Sequence, residues 1–241
     1  MESGGRLSIK ISLVSLLSAT YAIFFYLPIG FPIIGLEGAR PISIAYFLAL
    51  AYSLLFPFEY SVSAITLGGF IVSLIEFSPP FYILNFLPGT FLAIVSSIYL
   101  RKPIYAIMIY FLSILLYFVY PGGGPLYSYP LHVLPHLIIL ILVFILTLTL
   151  VRKYRYLKVI IASLAGSFTG QAIGTLLFLL MYYNISFNSS ESIKPIWVAT
   201  LYIYPVERII LTILGLILFL AIRRSIETFI GEARSIPLNE F

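Results

Sequence analysis

The stretch 196-IWVATLYIYPVERIILTILGLILFLAI-222 holds two charged residues, Glu207 and Arg208, in a run that is otherwise uncharged from Lys194 to Arg223. An apolar run of this length crosses a hydrocarbon core of about 30 Å as an α-helix. A charge at the middle of such a helix costs about 2.5–3.5 kcal/mol on insertion scales, so it is retained where it is paired or hydrated. Neighbours in sequence lie about 100° apart around a helix and do not face each other. Glu207 and Arg208 are therefore expected to find partners on two different neighbouring helices and to organise the bundle around them, as a functional pair or as glue between helices.

The rest of the chain agrees with a membrane-embedded reading. Of 241 residues, 61% are hydrophobic and 10% charged, with a mean hydropathy of +1.08, a balance that a water-facing surface does not accommodate. The apolar runs are continuous and near twenty residues long. They do not alternate over ten, which favours helices over a barrel. The expected fold is all-α, a polytopic transmembrane bundle forming a single integral membrane domain over 1–241. Cysteine and aspartate are absent. That removes thiol chemistry and weakens readings based on aspartate-bound magnesium or an aspartate pair. The net charge of +5 is carried by basic residues at segment ends, where it sets orientation and does not indicate nucleic acid.

Eight apolar segments are expected, at about 9–28, 42–58, 60–77, 82–100, 103–120, 131–151, 157–183 and 196–222, bounded by proline, glycine or charge. The second and third are separated only by Pro57 and Glu59. The first is too long for a signal-peptide core and has no small-residue cleavage site after it, so it is expected to stay in the mature protein. With both termini in the cytoplasm, Arg6, Lys10, Arg101, Lys102, Arg152, Lys153, Arg155, Lys158, Arg223, Arg224 and Arg234 lie inside, and only Arg40 and Lys194 lie outside. The segment 224–241 then forms a short cytoplasmic tail, and the localisation is a multi-pass protein of the cell membrane.

On this topology the outer loops are 29–41, near 77–82, 121–130 and 184–195. The first is rich in glycine and proline and holds Glu37 and Arg40. The third holds Pro121-Gly-Gly-Gly-Pro125, which lacks the lysine and hydroxyl residue of a nucleotide-binding loop and reads as a flexible connector. The fourth holds the glycosylation triplets at Asn184 and Asn188. On the first segment Ser8, Ser12, Ser15 and Ala19, with Ser18 and Ala22, form a small-residue face that lets another helix approach closely. Gly166, Gly170 and Gly174 repeat that spacing on the seventh, with Gln171 beside them as a polar contact. His132 and His136 face the same way at the outer end of the sixth segment. No glutamate base lies between them, so they are expected to line a pocket or interface, with no metal and no cofactor. Trp197 and the tyrosines near segment ends fit an interfacial aromatic belt.

One pattern is richer than these parts. The small face of the first helix is followed by the Pro/Gly loop with its charges, by Ala64-x-x-x-Gly68-Gly69 through Glu76, and by Phe86-Leu-Pro-Gly-Thr90 leading to Tyr99-Leu-Arg-Lys102. The last helix opens with Tyr204-Pro-Val-Glu-Arg208. From Ser8 to Lys102 this resembles the substrate-binding S components of energy-coupling factor (ECF) transporters. The resemblance implies a small membrane protein that binds a vitamin or similar micronutrient near its outer face and couples to a transmembrane T component and two cytoplasmic ATPases. It also implies that Ser15, Ser18, Ala19 and Ala22 match the family's coupling surface, where alanines are usual, and that Gly35–Pro41 matches the loop that closes over substrate. The chain departs from the family in having eight apolar segments where the family has six. It has Glu2 where the metal-uptake members have histidine, which argues against nickel or cobalt.

The resulting expectation is a non-enzymatic transport subunit that captures a small solute from outside, with Glu37, Arg40 and His136 at the mouth of the site and Gln171, Glu207 and Arg208 deeper. ATP hydrolysis would fall to partner subunits, because the chain carries no nucleotide loop. Two other classes use the same residues. One is an intramembrane enzyme on a lipid-like substrate, with Glu207 as acid or base and Arg208 holding an anion. The other is a scaffold subunit in which the charges only set helix register.

Overall fold

Apolar runs near bilayer length satisfy their backbone internally, and the computed structural model shows the outcome: the chain is almost entirely helical. It describes residues 2–31, 42–76, 82–151, 153–183 and 189–229. The principal helices are α1 (Glu2–Tyr26), α2 (Ala45–Leu55), α3 (Phe58–Ile75), α4 (Leu87–Arg101), α5 (Pro103–Phe118), α6 (Leu134–Thr149), α7 (Arg155–Phe178) and α8 (Ser190–Phe229). Single turns at Tyr82–Leu84, Pro125–Ser128 and Pro130–Val133 join them, and α7 continues into a wide π-turn at Leu179–Tyr183. Two residues on each side of segment 32–41 pair antiparallel, Gly30 with Ser43 and Phe31 with Ile42, drawing the ends of that segment together. Glu37 and Arg40 lie outside the described residues, as do the asparagines of both glycosylation triplets.

Among the described residues five helical stretches are long and apolar enough to cross a membrane: Ser8–Tyr26, Phe58–Ile75, Pro130–Thr149, Tyr156–Met181 and Ser190–Thr228. Helices α2, α4 and α5 have 11, 15 and 16 residues, or roughly 17, 23 and 24 Å at 1.5 Å per residue. They are shorter than a straight span requires. The expected break between the second and third segments is present: Pro57 is extended (ψ 149°) and starts α3. By contrast α8 runs unbroken for 40 residues with Pro195 and Pro205 inside it, so the region after Ile222 begins as helix, with Arg223 Nε donating to Glu227 Oε1 at 2.7 Å.

Contacts between side chains give the helix directions. Ser61 meets Ser97 and Thr66 meets Thr90, so α3 and α4 are antiparallel. Ser96 bonds Ala162 O, and Gly170 lies against Pro88, so α4 and α7 are antiparallel too. Tyr46 and Leu50 of α2 meet Arg208 and Gly215 of α8, which makes these two parallel. One end of the bundle therefore gathers 27–31, 42–44, 82–86, 119–133 and 179–183. At the other end lie Arg101, Lys102, Lys153, Lys158, Arg223 and Arg224, whereas Lys194 sits near the first end.

Close backbone approach occurs where the glycine spacing called for it. A Cβ on Gly166 would lie 2.6 Å from Leu92 O of α4, and one on Gly68 would lie 2.5 Å from Ser18 O of α1. The small face of α1 is thereby split. Ser18 is buried and Ala22 half-buried against α3, and Ser8, Ser12, Ser15 and Ala19 remain exposed. Outward faces are apolar, with Met108, Phe111 and Leu112 on α5, Ile138, Ile141 and Ile145 on α6, and Ile209, Ile213 and Ile217 on α8.

Candidate functional site

The buried face of α8 carries Ile193, Trp197, Tyr204, Arg208 and Leu211, a three- and four-residue spacing that stacks them on one side of the helix. Arg208 is 2% exposed and Glu207 6% exposed. The two reach toward each other from adjacent positions, with Arg208 Nη2 4.0 Å from Glu207 Oε2. This differs from the expectation of separate partners: long side chains can bend around the 100° offset, although 4.0 Å leaves the pair at the edge of ion-pair range. Arg208 does reach a neighbouring helix, its guanidinium carbon lying 5.8 Å from the centre of the Tyr46 ring on α2. Ser167 of α7 and Thr212 both donate to the Arg208 carbonyl, at 3.3 and 2.7 Å. Nε and Nη1 of Arg208 have no hydrogen-bond partner among the described residues.

One turn earlier on α8, Tyr204 enters a cluster of rings from α5, α6 and α7. It stacks on His136 (centroids 5.1 Å, 22° between planes) and lies 5.1 Å from His132. Tyr117 closes another side, 5.4 Å from His136 and edge-on to His132 at 6.1 Å. Trp197 lies 4.8 Å from His132, and Phe168 meets His136 edge-on at 5.6 Å. Tyr204 Oη donates to His132 O at 3.0 Å, tying the start of α6 to α8.

The partner of Thr200 assigns the tautomer of His132. Thr200 gives its hydroxyl proton to Ile196 O at 2.7 Å, so at 3.2 Å from His132 Nε2 its oxygen accepts, and His132 carries its proton on Nε2. His132 Nδ1 is then an acceptor. The Tyr110 hydroxyl lies 3.1 Å from His136 Nδ1 and 3.2 Å from His136 O. Neither His132 Nδ1 nor His136 Nε2 has a partner among the described residues, and the Tyr117 hydroxyl has none there either. A buried polar atom left unpaired costs about 1–3 kcal/mol, so such a group of atoms needs water or a ligand to complete it.

Of the sequence candidates, the structure brings His136 and Arg208 to Tyr204 on α8, with Glu207 alongside Arg208. His136 is fully buried beneath His132 and is not at a mouth. Gln171 is half-buried and bonds Thr175 of its own helix at 3.4 Å. Residues 15, 18, 19 and 22 are on α1, away from this cluster. Tyr110, Tyr117, Trp197, Thr200 and Tyr204 were not singled out for the site. Trp197 belongs to the interior and not to an interfacial belt, its Nε1 donating to Gly123 O at 3.3 Å. The triple glycine that accepts this bond is packed instead of acting as a loose connector: Gly122 has φ 75°, and a Cβ on Gly123 would be 2.7 Å from the Tyr183 ring. Among the described residues no three of histidine, cysteine, aspartate and glutamate come together as metal ligands. Comparison with protein-family models, with curated proteins and with solved structures finds no match to this chain.

Proposed function

We propose that this protein is a membrane-embedded solute-binding subunit of a transport system, similar to an ECF S component, with its binding site between α5, α6, α7 and α8. The observation that carries the reading is the group of incomplete polar atoms inside an apolar bundle: two guanidinium nitrogens, two imidazole nitrogens and a phenol. A scaffold has no use for them, since polar groups kept only to set register are stable when mutually satisfied. A site with aromatic walls and a few oriented polar groups is how proteins hold small molecules.

The same reading takes all eight helices as membrane-embedded, with the short ones held by neighbours at less than full depth. It puts the Arg101, Lys153 and Arg223 end in the cytoplasm, supported by the crowding of basic residues there. The His132 end then faces outward, where a solute enters. The exposed half of the α1 small face, Ser15 and Ala19, is left for a T component, and ATPase subunits supply the energy. The test is mild extraction followed by mass spectrometry of co-purifying proteins and retained small molecules. A T component, an ATPase pair and a bound solute are expected. Recovery of the bare chain that retains no molecule and binds none on addition would overturn the reading.

A further inference from the structure

We infer that the basic end of the bundle carries a site for an anionic phospholipid, at the corner where the α4–α5 turn and the α6–α7 turn meet. The site stands independently of the solute-binding reading. From residue 77 to residue 190 the chain has no acidic side chain, and its six lysines and arginines in that stretch fall only at 101–102 and 152–158. Packing then joins the two groups. The Tyr99 and Thr147 hydroxyls bond between α4 and α6, and Leu100, Ala106, Val151 and Ile161 are buried in one cluster. Both turns are held by their own backbone, Lys102 N donating to Ile98 O at 2.7 Å and Tyr154 N to Leu150 O at 3.0 Å.

Arg101, Lys102 and Lys153 are exposed at this corner, and none of them makes an ion pair among the described residues. Glu59, exposed at the start of α3, does not pair with them either. Arg223 at the same end differs, its charge being met by Glu227 at 2.7 Å. Like charges gathered without a counter-charge attract a shared anion, and a phosphodiester accepts charge-assisted hydrogen bonds from arginine and lysine alike. The surface beside the charges selects a lipid over a soluble anion or an acidic protein. Ile104, Met108 and Leu148 are exposed there and continue the apolar outer faces of α5 and α6. Lys102 and Lys153 lie over the rings of Tyr105 and Tyr154, at 5.6 and 5.4 Å, and both rings are exposed, as aromatic residues at a headgroup boundary are. A phosphate held at the two turns lays its acyl chains on that apolar face.

The test titrates the lipid-stripped full chain in mixed micelles with phosphatidylglycerol and, separately, with phosphatidylcholine of the same acyl chains, using glycerol 3-phosphate as the soluble counterpart. Unfolding temperature and the molecules retained under native mass spectrometry are recorded. Phosphatidylglycerol should raise the unfolding temperature and stay bound, the other two should do neither, and salt should weaken binding. Arg101→Gln, Lys102→Gln and Lys153→Gln should each weaken retention about fivefold, whereas Arg223→Gln should change it least. Lys102→Arg with Lys153→Arg keeps both charges and should bind as the parent does, which separates lost charge from lost fold. Equal effects of the two lipids, or undiminished retention in the glutamine variants, would overturn the proposal and leave these charges as orientation signals alone. Glycerol 3-phosphate binding as well as the lipid would make the corner a site for a soluble anion. Loss of a co-purifying acidic protein from the glutamine variants, with lipid retention unchanged, would make it a protein-docking surface, and either result overturns the lipid site.

Discussion

Arg208 is the residue at which cost and use are hardest to separate. A guanidinium buried to 2% exposure and only loosely met by Glu207 is a cost that the otherwise uncharged run 195–222 around it does nothing to offset. Arg208→Leu on its own strands the Glu207 carboxylate and should lower stability by about 3–5 kcal/mol. Adding Glu207→Gln should recover part of that loss, with unfolding temperature in detergent as the measurement. Equal stability of Arg208→Leu and the parent would mean that water reaches the guanidinium. The importance of Arg208 was legible in sequence because a lone charge in an apolar run is conspicuous. Tyr117, Tyr204 and Trp197 were not, since aromatic residues in a membrane protein belong equally well to a lipid interface, and only the approach of other helices removes them from it.

At the scale of helices, glycines decide who touches whom. Gly166 and Gly170 let α7 lie on α4, and Gly68 lets α3 lie on α1. Gly166→Ala would drive a methyl against Leu92 O and should cost about 1–3 kcal/mol, as overpacking does. The divided face of α1 gives a sharper contrast. Ser18→Leu enlarges a buried side chain on the helix face that meets α3 and should destabilise the isolated protein by a similar amount. Ser15→Leu combined with Ala19→Leu projects outward and should leave unfolding temperature and solute binding unchanged while preventing association with a T component. Loss of stability in that double variant would show that the exposed half also packs within the chain. The sequence named Ser8, Ser12, Ser15, Ser18, Ala19 and Ala22 as one face. A row of small residues states that close approach is allowed and not which helix takes it, so the division between Ser18 and Ser15 required the α1 and α3 pairing.

For the molecule as a whole, the prediction concerns sidedness. The chain has no cysteine of its own, so single cysteines report position without background. At Tyr127 and Ser189, both exposed at the end that gathers 119–133 and 179–183, a cysteine should react with an impermeant thiol reagent on intact cells. At Tyr154, exposed at the basic end, it should be protected until the membrane is opened. The opposite pattern would invert the orientation and place the histidine cluster toward the cytoplasm.

Composition and hydropathy by themselves determined the class. A chain this apolar and this poor in charge has no water-facing way to fold, and a backbone in hydrocarbon must bond to itself, so helices of near-bilayer length follow from the sequence with little freedom. The basic residues at segment ends and the break at Pro57 were equally local and equally legible. What only the tertiary structure decided was how far the short helices α2, α4 and α5 extend, which half of the α1 face is used, and that His132, His136, Tyr117, Tyr204 and Trp197 meet one turn from Arg208. The reason is physical. Hydropathy fixes each helix's environment, whereas its rotation and neighbours are set by side-chain packing between segments far apart in the chain, as between Tyr46 and Arg208. No single segment carries that information.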